Sequence, residues 1–311
     1  MTNTAFVFPG QGSQSLKMMD NLLDCASVQA TFLLAKDILG VDFLSMLQAD
    51  APDAINQTIN TQPLMLTAGY ATYLHYVECG GKPPHIMAGH SLGEWTALVA
   101  SGVIAFEDAL RLVKLRATAM QEAVPDGVGA MAAVVGLDDA KVVEICEQVA
   151  EESQLVVAGV NFNSPGQVVI AGNKKAVELA AVKLKENGAK LVKLLPVSVP
   201  SHCSLMHVAA DKMALALADV KFQTPSVPVL HNYNTESYTD AAAIKGALVK
   251  QLYMPVLWTS TINKIAGQGI KQIVECGPGK VLTGLNKRIN PEIISYNLHT
   301  QNDFATVVQL S

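Results

Sequence analysis

His85-Ile86-Met87-Ala88-Gly89-His90-Ser91-Leu92-Gly93-Glu94-Trp95-Thr96-Ala97-Leu98-Val99-Ala100-Ser101-Gly102 reads as a strand, a sharp turn and a helix around one serine. Residues 85–88 are short, apolar strand material. Residues 94–101 are helical in composition and stop at a glycine. Between them, Gly89-His90-Ser91-Leu92-Gly93 fits G-x-S-x-G, the strand-to-helix elbow that presents a nucleophilic serine. A serine hydroxyl is weakly nucleophilic and must be held exposed beside a base. The first amides of the following helix are unpaired donors at a positive dipole end, suited to an oxyanion. The competing explanation is a helix N-cap serine in an ordinary βα loop.

Outward from this elbow, residues 4–8 form an apolar strand that meets Pro9-Gly10-Gln11-Gly12-Ser13. Residues 61–77 read as a helix, with Thr61 as N-cap, Pro63 in the first turn and Gly80-Gly81 beyond the end. A late strand at 270–275 enters Gly277-Pro278-Gly279. The middle of the chain has another rhythm. Residues 130–135 are a strand, and Asp138 caps a helix to about 152. Strands at 155–160 and 167–171 follow, joined by a loop at 161–166. Asn173 caps a helix to about 187, and 190–195 is a last strand. The order β-α-β-β-α-β is the ferredoxin-like arrangement. It spans 127–198, short enough to be an insertion in a larger α/β body of 1–126 and 199–311.

Half of the 311 residues are apolar and 16% are charged, which excludes a disordered chain. The net charge of −5 argues against a chain-wide nucleic-acid surface. The longest uncharged runs, 54–77 and 155–173, are broken by Asn, Gln, Thr and Pro, so no membrane span is expected. The N-terminus has neither a basic start nor a long apolar core, so a signal peptide is not expected. Five scattered cysteines with no C-x-x-C suit free thiols in a reducing cytoplasm and give no zinc site. The P-loop, G-x-G-x-x-G and H-E-x-x-H patterns are absent.

A serine nucleophile needs a base. Of seven histidines, His202 stands in Pro196-Val197-Ser198-Val199-Pro200-Ser201-His202, where two prolines make the segment stiff and non-helical. Spacing identifies no triad acid. Residues 107–122 read as a helix. At ~100° per residue, Glu107, Arg111, Lys114, Thr118 and Glu122 fall within about 80° and define the watery stripe. Arg116 lies opposite, beside Ala109, Leu112 and Met120. A buried guanidinium needs an anion, either an internal Asp or Glu or a bound carboxylate.

Five ordered motifs carry a family resemblance: Phe6-Val7-Phe8-Pro9-Gly10-Gln11-Gly12-Ser13-Gln14, Gly89-His90-Ser91-Leu92-Gly93-Glu94, Asn161-Phe162-Asn163-Ser164-Pro165-Gly166-Gln167, Pro200-Ser201-His202 and Glu275-Cys276-Gly277-Pro278-Gly279. From about residue 4 to 290 the chain resembles the malonyl-CoA:acyl carrier protein transacylases of bacterial fatty-acid synthesis. The resemblance implies an α/β-hydrolase-like large subdomain with an inserted ferredoxin-like small one. It implies Ser91 as the acylated nucleophile and His202 as general base, oriented by the backbone carbonyl of Gln251. That carbonyl would explain the missing triad acid. Backbone amides of Gln11 and Leu92 would form the oxyanion hole, Arg116 would bind the malonyl carboxylate, and Gln62 and Asn161 would line the pocket. Malonyl-CoA and acyl carrier protein are the implied partners, with no metal or redox cofactor. The chain departs at Trp95-Thr96, where relatives often have tyrosine then serine, a change of packing. The rivals are a serine hydrolase, separated by how water treats the acyl-enzyme, and a non-catalytic carrier-protein-binding module, which stoichiometric acylation would exclude. Acyl carrier proteins are acidic. Lys264, Lys271, Lys280, Lys287 and Arg288 against Glu275 form a local basic stretch, either a docking surface or a plain solvated one.

Overall fold

Alternation along one strand sets the layering. In the computed structural model Thr4–Phe8 (β1) is wholly buried, with Phe6 and Phe8 in one core and Ala5 and Val7 in another. A strand buried on both faces belongs at the centre of a helix-covered parallel sheet. The structure describes residues 3–49, 52–197 and 199–310; Ser198, the expected end of the small unit, lies outside them.

After β1 come α1 (Ala26–Leu39), α2 (Phe43–Gln48), α3 (Pro52–Asn56), α4 (Thr58–Glu78), β2 (Ile86–Gly89), α5 (Gly93–Ala100) and α6 (Phe106–Glu122). The middle holds β3 (Gly129–Val135), α7 (Asp139–Ser153), β4 (Val157–Ser164), β5 (Gln167–Asn173), α8 (Lys174–Glu186) and β6 (Leu191–Leu194). The chain closes with α9 (His207–Leu217), β7 (Val229–Leu230), α10 (Ala241–Gln251), α11 (Trp258–Gly267), β8 (Gln272–Glu275), α12 (Val281–Ile289), β9 (Ile294–Asn297) and α13 (Gln301–Leu310).

One sheet runs β7-β2-β1-β8-β9, all parallel. Phe8 pairs with Gly89, so β1 and β2 end level. The chain goes from β1 to β2 on one side and later fills the other side with β8. Ligands of open α/β sheets sit beyond the strand C-termini at such a switch. The second sheet, β4-β5-β3-β6, is antiparallel. One of its faces packs on α7 and α8 through Val134, Ile170, Val177 and Leu184. Its other face, with Met131, Val160 and Val169, packs on Cys203, next to His202.

The Asn173 side chain, expected to cap α8, accepts the Val156 N–H at 2.8 Å instead, and two elements differ in extent. The helix expected at 61–77 starts one turn earlier, at Thr58. Pro63 therefore lies inside α4 and cannot donate to Ile59; the Lys114 ammonium takes that carbonyl instead, at 3.2 Å. The loop expected at 161–166 shrinks to a two-residue turn at Pro165-Gly166, because β4 continues through two bulges to Ser164. Those residues also bond across to the loop before α11: Phe162 N–H donates to Val256 O at 2.9 Å, and Val256 N–H to Val160 O at 2.8 Å. No helix among the described residues is long and apolar enough to cross a membrane.

Candidate active site

The elbow is built by close approach. A Cβ on Gly93 would overlap the Phe8 carbonyl, and one on Gly89 would overlap the Gly93 carbonyl. Only glycine lets β1, β2 and the start of α5 meet there. Ser91 sits in the left-handed region, φ +50. A non-glycine residue holds that conformation only where its surroundings fix it. Asn232 does so from the loop after β7: its Oδ1 accepts the Ser91 N–H at 2.7 Å and its Nδ2 donates to Gly89 O at 2.6 Å.

His202 is a second left-handed residue, φ +65, and is almost fully buried. Its N–H donates to Leu252 O at 2.9 Å, and its Nδ1 lies 2.7 Å from Gln251 O. A carbonyl only accepts, so Nδ1 carries the proton and Nε2 presents a lone pair. That lone pair faces Ser91 Oγ at 2.8 Å. Burial, and then the positive charge of Arg116, lower the imidazole pKa to about 3, against the weaker opposing pull of the Gln251 carbonyl. His202 is thus a neutral base throughout the physiological range.

Arg116 is 1% exposed, as its position on α6 requires. Its Nη1 donates to Gln62 Oε1 at 2.6 Å, and its Nη2 to Gln251 Oε1 at 3.1 Å. The same Nη2 is 3.5 Å from Ser91 Oγ. Both strong partners are neutral amides, and no ion pair among the described residues includes Arg116. Burial lowers its pKa to about 10, with Glu94 raising it from a distance. It remains charged near neutrality. Of the two anions the sequence allowed, an internal carboxylate is not in contact, and the buried guanidinium lies beside the nucleophile, 3.5 Å from its Oγ.

The Gln11 loop abuts the elbow: a Cβ on Gly10 would overlap the His90 carbonyl and lie 3.5 Å from Leu92 N. Gln11 Nε2 donates to Thr58 Oγ1 at 3.2 Å, pinning the loop to the start of α4. Among the described residues the backbone N–H groups of Gln11 and Leu92 have no protein acceptor. A serine paired with an imidazole, beside a buried guanidinium and two spare amides, is competent for acyl transfer through a serine ester.

The acyl transferase domain family matches residues 5–289. The malonyl CoA-acyl carrier protein transacylase of Escherichia coli K12 is 51% identical over 311 residues, the whole of both chains. The chain belongs to the malonyl CoA-acyl carrier protein transacylase family. The Bacillus subtilis member is 41% identical over 93% of this chain and 91% of its own. Among solved structures, one from Coxiella burnetii superposes with a TM-score of 0.96 at 45% identity, covering 99% of this chain and 97% of that one. A malonyl-transacylase in complex with a type II PKS acyl-carrier protein also gives 0.96, at 47% identity over 99% of both chains.

Of the family residues expected in the pocket, Gln62 is in place on the guanidinium. Asn161 makes no hydrogen bond to Ser91, His202 or Arg116; its Oδ1 is buried without a partner. The nearby contact comes from Asn163 instead, whose Oδ1 is 2.8 Å from His90 Nε2. Asn232, His231 and Glu94 escaped the sequence reading. Glu94 alone left a signal, as the only charge in the apolar run of α5. The basic stretch is altered by its neighbours. Glu275 is buried, Lys264 pairs with Glu236 at 2.7 Å, and Arg288 donates to Gln167 at 2.6 Å.

Proposed function

We propose that the chain transfers a malonyl group from malonyl-CoA to the phosphopantetheine thiol of acyl carrier protein, in two half-reactions joined by a malonyl ester on Ser91. His202 Nε2 takes the hydroxyl proton as Oγ attacks the thioester carbonyl. The tetrahedral oxyanion is held by the N–H groups of Gln11 and Leu92. The coenzyme A thiolate leaves with a proton from His202. The carrier thiol then attacks the ester carbonyl, giving its proton to His202, which passes it to Ser91 Oγ as the ester bond breaks, and Ser91 is regenerated. The malonyl carboxylate forms a bidentate pair with Arg116. That pairing cancels the charge that depresses His202 and strengthens the base when the correct acyl group is present. Gln62 orients the guanidinium, and Asn161 borders the pocket without touching its reacting atoms. The enzyme works in the cytoplasm, in keeping with five free cysteines.

The parallel sheet with its helices is the α/β-hydrolase-like catalytic part, residues 1–126 and 199–311. The antiparallel sheet of 127–198 is a ferredoxin-like insertion. Its strand order supports this: first and third strands lie centrally, second and fourth at the edges.

The observation that carries the assignment is the buried, carboxylate-free Arg116 beside Ser91. Arg116→Ala removes a charge-assisted contact of about 2–4 kcal/mol, roughly 30- to 1000-fold for malonyl-CoA. Acetyl-CoA lacks the carboxylate and is used as well as before, or better. Parallel rates with both thioesters decide it. An equal loss for both in a folded protein makes Arg116 structural.

The exposed Lys280 and Lys287, with Arg288, offer acidic carrier protein a docking patch. Lys287→Glu with Arg288→Glu is expected to raise the Michaelis constant for carrier protein about tenfold at low salt. The constant for malonyl-CoA hardly moves. Equal effects on both substrates, or none, remove the patch from the account.

A further inference from the structure

Glu94 is 0% exposed and sits three residues after the nucleophile, in the first turn of α5. Its Oε2 accepts from Asn232 N–H at 2.8 Å and from Gln251 Nε2 at 3.0 Å. Its Oε1 is 2.8 Å from His231 Nδ1. It does not touch Arg116, yet one side chain separates them. Gln251 turns its N–H end to the Glu94 carboxylate and its Oε1 to the guanidinium, at 3.1 Å. The reverse orientation would set like polarity against both charges, so the amide direction is fixed by its neighbours.

We propose that Glu94 is the counter-charge of the acyl pocket and sets how tightly Arg116 holds the substrate carboxylate, acting through the side-chain amide of Gln251. It is a positioning residue, and its role rests on the transacylase reading above. A carboxylate in direct contact with Arg116 would compete with the malonyl group. With no carboxylate nearby, a bare buried cation would hold the malonyl carboxylate too firmly for transfer. A carboxylate one amide away avoids both. It keeps the cation partly neutralised and leaves the face toward Ser91 free. Two negative charges then share one guanidinium during turnover, and each weakens the other's hold.

Glu94→Gln tests this with little change of shape. The new amide oxygen serves Asn232 and Gln251. The new amide nitrogen faces His231, which accommodates it by moving its proton from Nδ1 to Nε2, an atom without a hydrogen-bond partner among the described residues. Loss of the charge is expected to lower the Michaelis constant for malonyl-CoA about 3- to 30-fold. kcat is expected to fall with it, since the held acyl group leaves more slowly. The constant for acetyl-CoA moves far less. In an Arg116→Ala background, Glu94→Gln leaves the malonyl-to-acetyl ratio unchanged, because the charge it acts on is gone. A malonyl constant that rises, an equal change for both thioesters, or an effect that survives in Arg116→Ala overturns the proposal. If Glu94→Gln does not fold, Glu94→Asp keeps the charge and is expected to keep the wild-type ratio; a shifted ratio there overturns it too. The wild-type control separates the two levels. A wild type that takes no malonyl group sinks the transacylase reading itself, whereas an active wild type with an indifferent Glu94→Gln sinks only the counter-charge.

Discussion

Ser91→Ala takes up no malonyl group from malonyl-CoA. The expected loss is complete for the acylation step, because the covalent intermediate needs the one oxygen that the substitution removes. The Gln11 and Leu92 amides proposed as oxyanion donors, Arg116 and His202 all stay in place, yet none can form the ester. Alanine also keeps the backbone bond from residue 91 to Asn232, so the elbow itself survives. Intact mass measured after mixing with excess malonyl-CoA checks it. A malonylated Ser91→Ala protein would move the nucleophile to another residue and end the elbow assignment.

His202→Ala is expected to slow acylation by about 10²- to 10⁴-fold. Coenzyme A is a good leaving group, but the serine hydroxyl must still lose a proton to attack. The pH profile separates chemistry from folding. With the imidazole pKa lowered to about 3, kcat/KM of the wild type shows no inflection near the ordinary histidine value of ~6.5. The folded-state pKa lies below the unfolded one. Between those values the unfolded chain binds a proton that the folded chain refuses, so this group's contribution to stability falls as pH falls through the window. His202→Ala therefore unfolds less steeply with acid than the wild type. A wild-type rate that drops through pH 6.5, or a variant with unchanged acylation, contradicts the role of His202.

What could be read in advance followed from how local each signal was. The elbow was legible from a G-x-S-x-G run set between a strand and a helix, although only Gly89 answers to atoms a few residues away; Gly93 answers to the Phe8 carbonyl of a distant strand. The burial of Arg116 was legible because helix periodicity alone decides which face it takes. His202 was legible in part, from two prolines that stiffen its segment. The network beneath them was not. Asn232 reaches Ser91 from 141 residues away, and Gln251 reaches it from 160. No period or short motif encodes such a pairing. The same holds for the two misjudged elements. The Ile59 carbonyl that Pro63 leaves without a helical donor is served by Lys114, 55 residues beyond Ile59. Strand β4 runs past its expected end because residue 256 bonds to it.

The central claim is a malonyl ester on Ser91 that passes to a thiol in preference to water. Intact mass of the wild type is measured after brief exposure to malonyl-CoA, and the adduct is then chased with either holo acyl carrier protein or buffer. The expected result is a gain of one malonyl group per chain, lost rapidly to the carrier thiol and only slowly to water. An adduct that buffer discharges as fast as carrier protein does would make the chain a hydrolase. No adduct at all would contradict the account.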